Sequence, residues 1–312
     1  MKNIVISLCT YRRPEGLKAL FESFKSLQIP DSVNLSARVI DNEPTPAARE
    51  LVQQLAQDLS FSMHYVHEPE AGIAPARNRA LTEAKDADYL VFIDDDETAA
   101  PDWIEKLWDV QNRTKAHFVQ GPVILTVEDQ ADQWWIDSLL FRLKTFPDCS
   151  PRHESWSNNV MIDMDFVRKN NLRFDPALRF DGGEDTLFFQ QMTRAGGKGV
   201  FAAHAKVYEV QPKERLNWRW ALRRQFRNGN TRGMCARRLQ ILPKAITHTL
   251  FRSTTCAGLS IVLLPTALIK GKTGLANAAT YAARSLGMLW GLIGKRTLEY
   301  ARQENPETRS PA

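Results

Sequence analysis

Residues 90–97 read LVFIDDDE, an apolar run followed directly by four acids. The run indicates a buried strand, and Asp94, Asp95, Asp96 and Glu97 follow at its carboxyl end. Neighbouring carboxylates repel one another and resist losing water, so the cluster requires solvent, a cation or a ligand. The stretch therefore predicts a sheet with a charged site at its edge.

The residues around this stretch alternate between strand and helix patterns. Apolar strand patterns at 3–9, 36–43, 61–69 and 88–96 are separated by amphipathic helix patterns at 10–27, 46–59 and 74–85. Further strands are predicted at 115–127 and 156–163, and a helix at 184–197. Such alternation predicts an α/β fold with a mixed, mainly parallel sheet flanked by helices.

Ligands of parallel sheets bind at the carboxyl ends of the strands. Those ends carry Thr10 and Tyr11, then Asp41, the turn at 67–72, and Asp94 to Glu97. The sequence has no GxGxxG motif after the first strand and no GxxxxGK loop, which argues against a dinucleotide or P-loop site. A hydroxyl, an aromatic ring and carboxylates suit a nucleotide whose diphosphate is held through a metal.

Charge divides the chain at about residue 210. Residues 1–210 carry 23 Lys and Arg against 32 Asp and Glu, whereas residues 211–312 carry 18 against 4. The division predicts a catalytic domain over 1–210 and a basic C-terminal region over 211–312 that meets nucleic acid or the cytoplasmic face of a membrane. Four cysteines, widely spaced, indicate reduced thiols.

Two apolar segments favour the membrane over nucleic acid. The segment 256–271 is interrupted by Pro265, and 276–294 contains Arg284, so neither has the roughly 20 apolar residues of a clear spanning helix. We expect amphipathic or re-entrant helices lying in the membrane surface. A spanning hairpin and packing against the catalytic domain are the alternatives.

Several motifs occur in one order along residues 1–210. They are CTYRRPEGL (9–17), VIDNE (39–43), EAGIAPARNRAL (70–81), FIDDDE (92–97), WSNNVMI (156–162) and FDGGEDTLFF (180–189). In this order the chain resembles the family 2 glycosyltransferases, which are inverting, nucleotide-sugar-dependent enzymes with the GT-A fold. The resemblance is greatest to the bacterial enzymes of exopolysaccharide synthesis.

The resemblance implies a role for each matching residue. Asp185 would be the catalytic base, and Asp96 would bind Mg²⁺ or Mn²⁺. The residues implied in donor binding are Thr10, Tyr11, Arg12, Asp41, Arg77, Asp94 and Asp95, the last as a support for its neighbours, while Glu97 would belong to the turn. Those implied in contacting the acceptor or the transferred sugar are Trp156, Asn158, Asn159 and Glu184. His204 is a further candidate for the metal or the diphosphate, and Trp220 stands in LNWRW, where related enzymes have QxxRW; the glutamine is missing here.

The resulting expectation is a metal-dependent inverting transfer from a nucleotide sugar, UDP-linked, to a lipid-linked saccharide in surface glycan synthesis. The enzyme would be peripheral or monotopic at the cytoplasmic face of the inner membrane, with no nucleic-acid partner. A sugar-phosphate nucleotidyltransferase is the alternative enzyme, although TYRRPEGL lacks the Gly-rich basic loop usual there. A nucleic-acid-binding protein that uses the basic C-terminal region is the non-enzymatic alternative.

Overall fold

The computed structural model describes residues 1–297 of the protein. The strands in this part of the chain are β1 (Lys2–Thr10), β2 (Val33–Asp41), β3 (Ser62–His67), β4 (Tyr89–Ile93), β5 (Glu97–Ala99), β6 (Phe118–Gln120), β7 (Val123–Thr126), β8 (Pro151–Arg152), β9 (Asn159–Asp163), β10 (Gly199–Phe201) and β11 (Val207–Val210). The helices are α1 (Pro14–Phe24), α2 (Arg49–Ala56), α3 (Ile73–Glu83), α4 (Trp103–Thr114), α5 (Gln133–Asp137), α6 (Met164–Lys169), α7 (Glu184–Arg194), α8 (Trp218–Leu239), α9 (Leu242–Leu263) and α10 (Ala267–Leu292).

Eight strands form the main sheet, in the order β3-β2-β1-β4-β9-β6-β10-β8. The four strands from β3 to β4 are parallel, and β9 runs antiparallel to both of its neighbours. Apolar residues alternate across β1, so that Ile4, Ile6 and Leu8 pack under α1 and α4, while Val5 packs under α3 and α7. The sheet confirms the predicted α/β class with a mixed, mainly parallel sheet.

The strand predicted at 115–127 is divided into two strands of different sheets. Pro122 has no N–H to donate, and a Cβ on Gly121 would lie 2.3 Å from the carbonyl oxygen of Ala205, so the chain turns here. Strand β6 stays in the main sheet, whereas β7 joins β11 and β5 in a sheet of three. The small sheet brings residues near 209 beside the acids that follow β4.

Helices α8 and α10 run parallel in direct backbone contact. A Cβ on Gly229 would lie 2.2 Å from the carbonyl oxygen of Arg284, and one on Gly233 would lie 2.1 Å from that of Met288. Both positions advance by four residues together, which establishes the parallel direction. Helix α10 also contacts residues 1–210, where the Leu139 N–H donates to Asn277 Oδ1 at 2.8 Å, which agrees with the alternative of packing against the catalytic domain.

Helix α9 packs antiparallel to α10, with the Ser253 and Ser285 hydroxyl oxygens 2.9 Å apart. Pro265 lies in the turn Leu264–Thr266 that ends α9, as its place in the sequence predicted. Within residues 1–297, Leu242–Leu292 is the one helical segment long and apolar enough to cross a membrane, by length and composition alone. Its apolar window has a mean hydropathy of 1.4, and none of that window is buried.

Asn159, at the start of β9, is a buried connector between three parts of the fold. Its Oδ1 accepts a hydrogen bond from Trp103 Nε1 at 2.9 Å, and its Nδ2 donates to the carbonyls of Pro122 and Ala205 at 2.9 and 2.8 Å. The expectation that Asn159 contacts acceptor or sugar is therefore wrong, because the side chain is fully buried and its donors and acceptor serve the core.

Asn159→Ala should lower the free energy of unfolding by about 3 kcal/mol, because it leaves two buried carbonyls and a buried indole N–H without their partner. Urea unfolding measures the change. Asn158→Ala, at the partly exposed next position, should change it by less than about 1 kcal/mol. Equal losses in the two variants would contradict this assignment.

Candidate active site

The acids after β4 point in different directions, and Asp95 points inward. Its Oδ2 accepts a hydrogen bond from Thr10 Oγ1 at 2.8 Å, and its Oδ1 accepts one from Arg13 Nη1 at 2.9 Å. Burial raises the pKa of the Asp95 carboxyl, and the Arg13 charge opposes that rise. Asp95 thus fastens the loop to β1, as a support for its neighbours.

Asp96 lies between two guanidinium groups. Its Oδ2 is 2.7 Å from Arg13 Nη1 and 3.3 Å from Arg215 Nη2. Arg215 reaches further and donates through Nη1 to Glu209 Oε1 of β11 at 3.1 Å. The Asp96 side chain keeps about a quarter of its surface exposed, at 27%. A cation or ligand from solvent can therefore reach it.

Glu97 closes the turn after β4, as predicted, where its N–H donates to the Asp94 carbonyl at 3.3 Å, and it is buried at the start of β5. It lies opposite Glu209 on the β5–β11 ladder, and its Oε2 accepts a hydrogen bond from the Asp94 N–H at 3.0 Å. Burial raises the pKa of Glu97 well above its usual value, and the charges of Asp94 and Glu209 add to the rise. The carboxylates of Asp94, Asp96, Glu97 and Glu209 therefore share this corner of the fold.

A buried arginine joins the acids of β4 to those of α7. Arg77 of α3 donates through Nη1 to Glu184 Oε1, and its Nη2 lies 3.8 Å from Asp94 Oδ1. The Asp94 side chain is 43% exposed and lines a cavity. Removal of water raises the pKa of its carboxyl, Arg77 opposes the rise, and Asp96 adds to it. The two acidic motifs therefore meet at Arg77.

Helix α7 begins at the cavity with Glu184 and Asp185 in its first turn, where carboxylates are stabilised by the helix dipole. Gly183, at φ +83°, allows the sharp entry to the helix and packs against Thr231 of α8, where a Cβ would clash. Asp185 Oδ1 accepts a hydrogen bond from the Thr186 N–H at 2.5 Å. Its carboxylate is thereby oriented at the cavity wall.

The cavity has a volume of about 300 Å³ and is rich in charge. The acids in its lining are Asp94, Glu154, Glu184 and Asp185. The cations are Arg77, Arg142, Lys144, Arg224, Arg227, Arg232 and Arg284. Clustered guanidinium groups suit the oxygens of a diphosphate, which they bind in bidentate fashion.

Six residues predicted for the site line this cavity: Arg77, Asp94, Trp156, Asn158, Glu184 and Asp185. They come from α3, β4, the segment before β9, and α7, so the fold brings distant motifs together. Asp96, two residues after Asp94, is not part of the lining and faces Arg13 and Arg215.

Arg12 and Tyr11 turn toward the surface beside the end of β2. The Arg12 guanidinium lies 5.2 Å from the Tyr11 ring centre, and its Nε is 3.5 Å from Glu43 Oε2. Arg13, the next residue, is the one that turns inward to Asp95 and Asp96. The sequence contained no signal to distinguish the two arginines, and the prediction selected the outer one.

Asp41 is fully buried and accepts hydrogen bonds from within the protein. Its oxygens receive the N–H groups of Glu43 and Ala48, at 3.0 and 3.1 Å, and the Tyr65 hydroxyl at 2.7 Å. These contacts shape the loop that follows β2. A contact from Asp41 to a nucleotide base stays a prediction.

Two further candidates lie away from the cavity lining. His204 is exposed in the turn before β11, and its contact with metal or diphosphate stays a prediction. Trp220 of α8 stacks on Phe141 at 5.6 Å, and Arg215 and Arg224 lie over its ring at 5.6 and 5.5 Å. The Trp220 ring therefore packs against the guanidinium groups of Arg215 and Arg224 and helps to hold them in place.

The basic C-terminal region contributes directly to the cavity, and its contact with an anionic surface stays a prediction. Cavity residues on α8 are Arg224, Arg227, Asn228, Thr231 and Arg232, and Arg284 comes from α10. The α8 residues recur at intervals of three and four, so they share one helix face. That spacing was the signal that could have placed them.

The chemistry of the acids fits a divalent cation shared with a ligand. Within residues 1–297, no three His, Cys, Asp or Glu side chains are arranged to hold a metal by themselves. Mg²⁺ and similar ions are commonly bound by one or two carboxylates together with substrate phosphates. Asp94 and Asp96, both partly exposed, would supply the oxygens for such a shared ion.

Comparison with known proteins agrees with this arrangement. Residues 5–175 match the family model of glycosyl transferase family 2. The chain is 32% identical over 300 residues to the succinoglycan biosynthesis protein ExoM of Rhizobium meliloti, covering 95% of each. It is also similar in fold to the mannosyltransferase PcManGT of Pyrobaculum calidifontis, solved with GDP-Man and Mn²⁺ (TM-score 0.62, 15% identity, 92% of this chain and 87% of the other).

A second fold relative is TarS of S. aureus. The chain matches TarS 1–349 in complex with UDP-GlcNAc, with a TM-score of 0.51, 12% identity and 98% of each chain covered. In a longer TarS structure it spans 55% of that chain, with a TM-score of 0.52. These folds confirm the GT-A architecture. Because the family model covers more than half of the chain and the ExoM alignment nearly all of it, this chain belongs to glycosyl transferase family 2.

Proposed function

We propose that this glycosyltransferase moves a sugar from a UDP-linked donor to a lipid-linked saccharide, with inversion and with a divalent cation, at the cytoplasmic face of the inner membrane. The observation that carries the proposal is the Arg77 bridge. One buried guanidinium joins Asp94, the donor-side acid, to Glu184, the neighbour of Asp185. Donor and base residues therefore line one cavity.

In the proposed reaction, the acceptor hydroxyl attacks the anomeric carbon from the side opposite the departing nucleoside diphosphate. Asp185 accepts the hydroxyl proton, and the bond from the anomeric carbon to the diphosphate oxygen breaks as the new glycosidic bond forms. Trp156 and Asn158 border the same cavity and offer an aromatic surface and an amide to a sugar. Arg77, which lies beside Asp94, is proposed to stabilise the charge that develops on the leaving diphosphate.

Asp96, with Asp94 beside it, is proposed to hold Mg²⁺ or Mn²⁺. The ion would supply Lewis-acid stabilisation of the leaving diphosphate. The Mn²⁺ complex of PcManGT supports a divalent cation here, and the UDP-GlcNAc complex of TarS supports a UDP-linked donor. Arg13 and Arg215 balance the acids from the other side of Asp96.

An exposed apolar surface on α9 and the start of α10 supports attachment to a membrane. Phe251, Ile261 and Val262 are more than 70% exposed, and Leu268 and Ile269 reach 92% and 88%. Contiguous apolar surface of this kind marks contact with lipid or protein. Two observations favour lipid over protein as the partner of this surface. The surface lies beside basic residues, and the chain is related to a succinoglycan biosynthesis protein.

Family membership favours glycosyl transfer over the nucleotidyltransferase alternative. The nucleic-acid alternative relied on the basic C-terminal region. Several of those arginines line the cavity, and Arg238 pairs with Asp175, so less of that charge is available to a nucleic acid.

Asp185→Asn should lower kcat by about a thousandfold, because the amide cannot accept the hydroxyl proton. Binding of the nucleotide sugar should stay within about twofold. Metal-dependent release of UDP or GDP, measured with a panel of nucleotide sugars and acceptors, gives the rate, and calorimetry gives the binding. Asp165→Asn, on the exposed side of α6, is the control. Turnover retained in Asp185→Asn would remove it as the base.

Asp96→Asn should raise the Mn²⁺ concentration needed for half-maximal UDP binding by at least about tenfold, since a charged oxygen ligand is lost. Calorimetric titration of UDP at several Mn²⁺ concentrations measures the shift. Asp102→Asn, at an exposed aspartate near the start of α4, should leave it unchanged. An unchanged response to Mn²⁺ in Asp96→Asn would count against the ligand role.

The full chain should float with vesicles that contain phosphatidylglycerol. The double variant Leu268→Glu/Ile269→Glu should lose most of that binding, because two carboxylates at the start of α10 oppose its insertion into the membrane. Tyr208→Glu/Val210→Glu, at exposed apolar positions of β11, is the matched control. If the Leu268→Glu/Ile269→Glu variant floats as well as the control, the assignment of this apolar surface to the membrane is wrong.

A further inference from the structure

A second cavity adjoins the first and opens toward the C-terminal helices. Its volume is about 590 Å³, and it lies between the segment 139–146 and helices α9 and α10. The two cavities share five lining residues, namely Arg142, Leu143, Lys144, Arg232 and Arg284. These five residues form one wall between the two cavities, with the acids of the first cavity on one side and the second cavity on the other.

Four of the five shared residues are cations, and the structure shows their mutual repulsion. The pKa of Lys144 is lowered by burial first, and then by the charges of Arg232 and Arg284. The pKa of Arg284 is lowered in the same way, by burial and then by Arg232. Glu154, whose Oε1 is 3.7 Å from Arg232 Nη2, offsets part of this charge. A bound anion would relieve the remainder.

The wall is held in place by buried hydrogen bonds. Arg284 Nε donates to Gln225 Oε1 at 2.7 Å, and the Gln225 amide nitrogen donates to the carbonyl of Leu140. Gln225 is almost fully buried. One amide thus ties α8, α10 and the segment 139–146 together, so the position of the Arg284 guanidinium is set by the fold.

The side of the second cavity formed by α9 and α10 is partly apolar. Phe251, Tyr281 and Met288 border it, together with the polar residues Arg252, Thr255 and Cys256. Phe251 belongs to the exposed apolar surface of α9. A ligand that fits both sides therefore carries a strongly anionic group on the wall and a hydrocarbon that leaves toward α9.

We propose that this wall binds the diphosphate of a hydrocarbon-linked acceptor, with the hydrocarbon in the second cavity and the saccharide in the first. The proposal rests on the lipid-linked acceptor of the proposed function and deepens it by assigning the anionic linkage to Arg142, Lys144, Arg232 and Arg284. The diphosphate site of the acceptor is then separate from that of the donor at Asp94 and Asp96.

Binding of three probes to the full chain tests the proposal: farnesyl diphosphate, inorganic pyrophosphate and farnesol, each measured by calorimetry. Farnesyl diphosphate should bind at least tenfold more tightly than either of the others, because it engages both sides of the site. Saturating UDP should leave that binding in place. Equal affinities of farnesyl diphosphate and pyrophosphate would mean a site for free phosphate groups and would overturn the proposal.

Variants separate the two halves of the site. Lys144→Gln and Arg232→Gln should each weaken farnesyl diphosphate about tenfold or more and leave UDP affinity within about twofold, whereas Arg194→Gln, at an exposed arginine of α7, should change neither. If these variants weaken UDP as much as farnesyl diphosphate, the wall belongs to the donor and the proposal fails. These measurements need no turnover, so their failure is distinct from a failure of the Asp185 and Asp96 experiments.

Thr255→Trp should fill the second cavity and weaken farnesyl diphosphate about tenfold, with pyrophosphate unaffected. Thr254→Trp, at the adjacent exposed position outside the cavity, is the control. Thermal unfolding of both variants shows that they fold. Unchanged farnesyl diphosphate binding in folded Thr255→Trp would place the hydrocarbon elsewhere and overturn this part of the assignment.

Discussion

The ion pair of Arg77 with Glu184 is the interaction on which the site depends. Both side chains are almost fully buried, and the same guanidinium reaches toward Asp94. A buried charge without its partner costs about 3–5 kcal/mol, so the pair holds α3 and α7 in one relation to the end of β4. The motifs of residues 70–81, 92–97 and 180–189 are therefore parts of a single electrostatic unit, although they are far apart in the chain.

The acidic part of the sequence (1–210) and the basic part (211–312) both contribute side chains to one site. The acids of the sheet edge gather at Asp94, Asp96, Glu97 and Glu209, and loss of water raises the pKa of Asp94, Glu97 and Glu209. The cations beside them come from both parts of the chain, since Arg13 and Arg77 precede the acids and Arg215 follows the sheet. The C-terminal region is for this reason a wall of the catalytic cavity as well as a candidate membrane surface.

Local patterns were sufficient for the fold and for much of the site. Strand and helix periodicity predicted β1 to β4 with their helices, and the order of motifs predicted Asp94, Asp185 and Arg77 at one cavity. What failed depends on contacts between distant residues. A sequence cannot show that the Asn159 amide forms hydrogen bonds with Trp103, Pro122 and Ala205. It also cannot show that Arg13 turns inward and Arg12 does not. The division of 115–127 required the approach of Ala205 to Gly121.

The glycine contacts between α8 and α10 leave no side chain between the two backbones. Helices in such contact cannot slide along each other without collision, and the Ser253–Ser285 hydrogen bond attaches α9 to the same pair. Because Gly183 at the start of α7 packs against Thr231 of α8, the same contacts connect the Asp185 end of the cavity to the exposed side of α9. If that side contacts a membrane as proposed, an acceptor anchored there would reach Asp185 only when its growing end lies at one distance from the membrane.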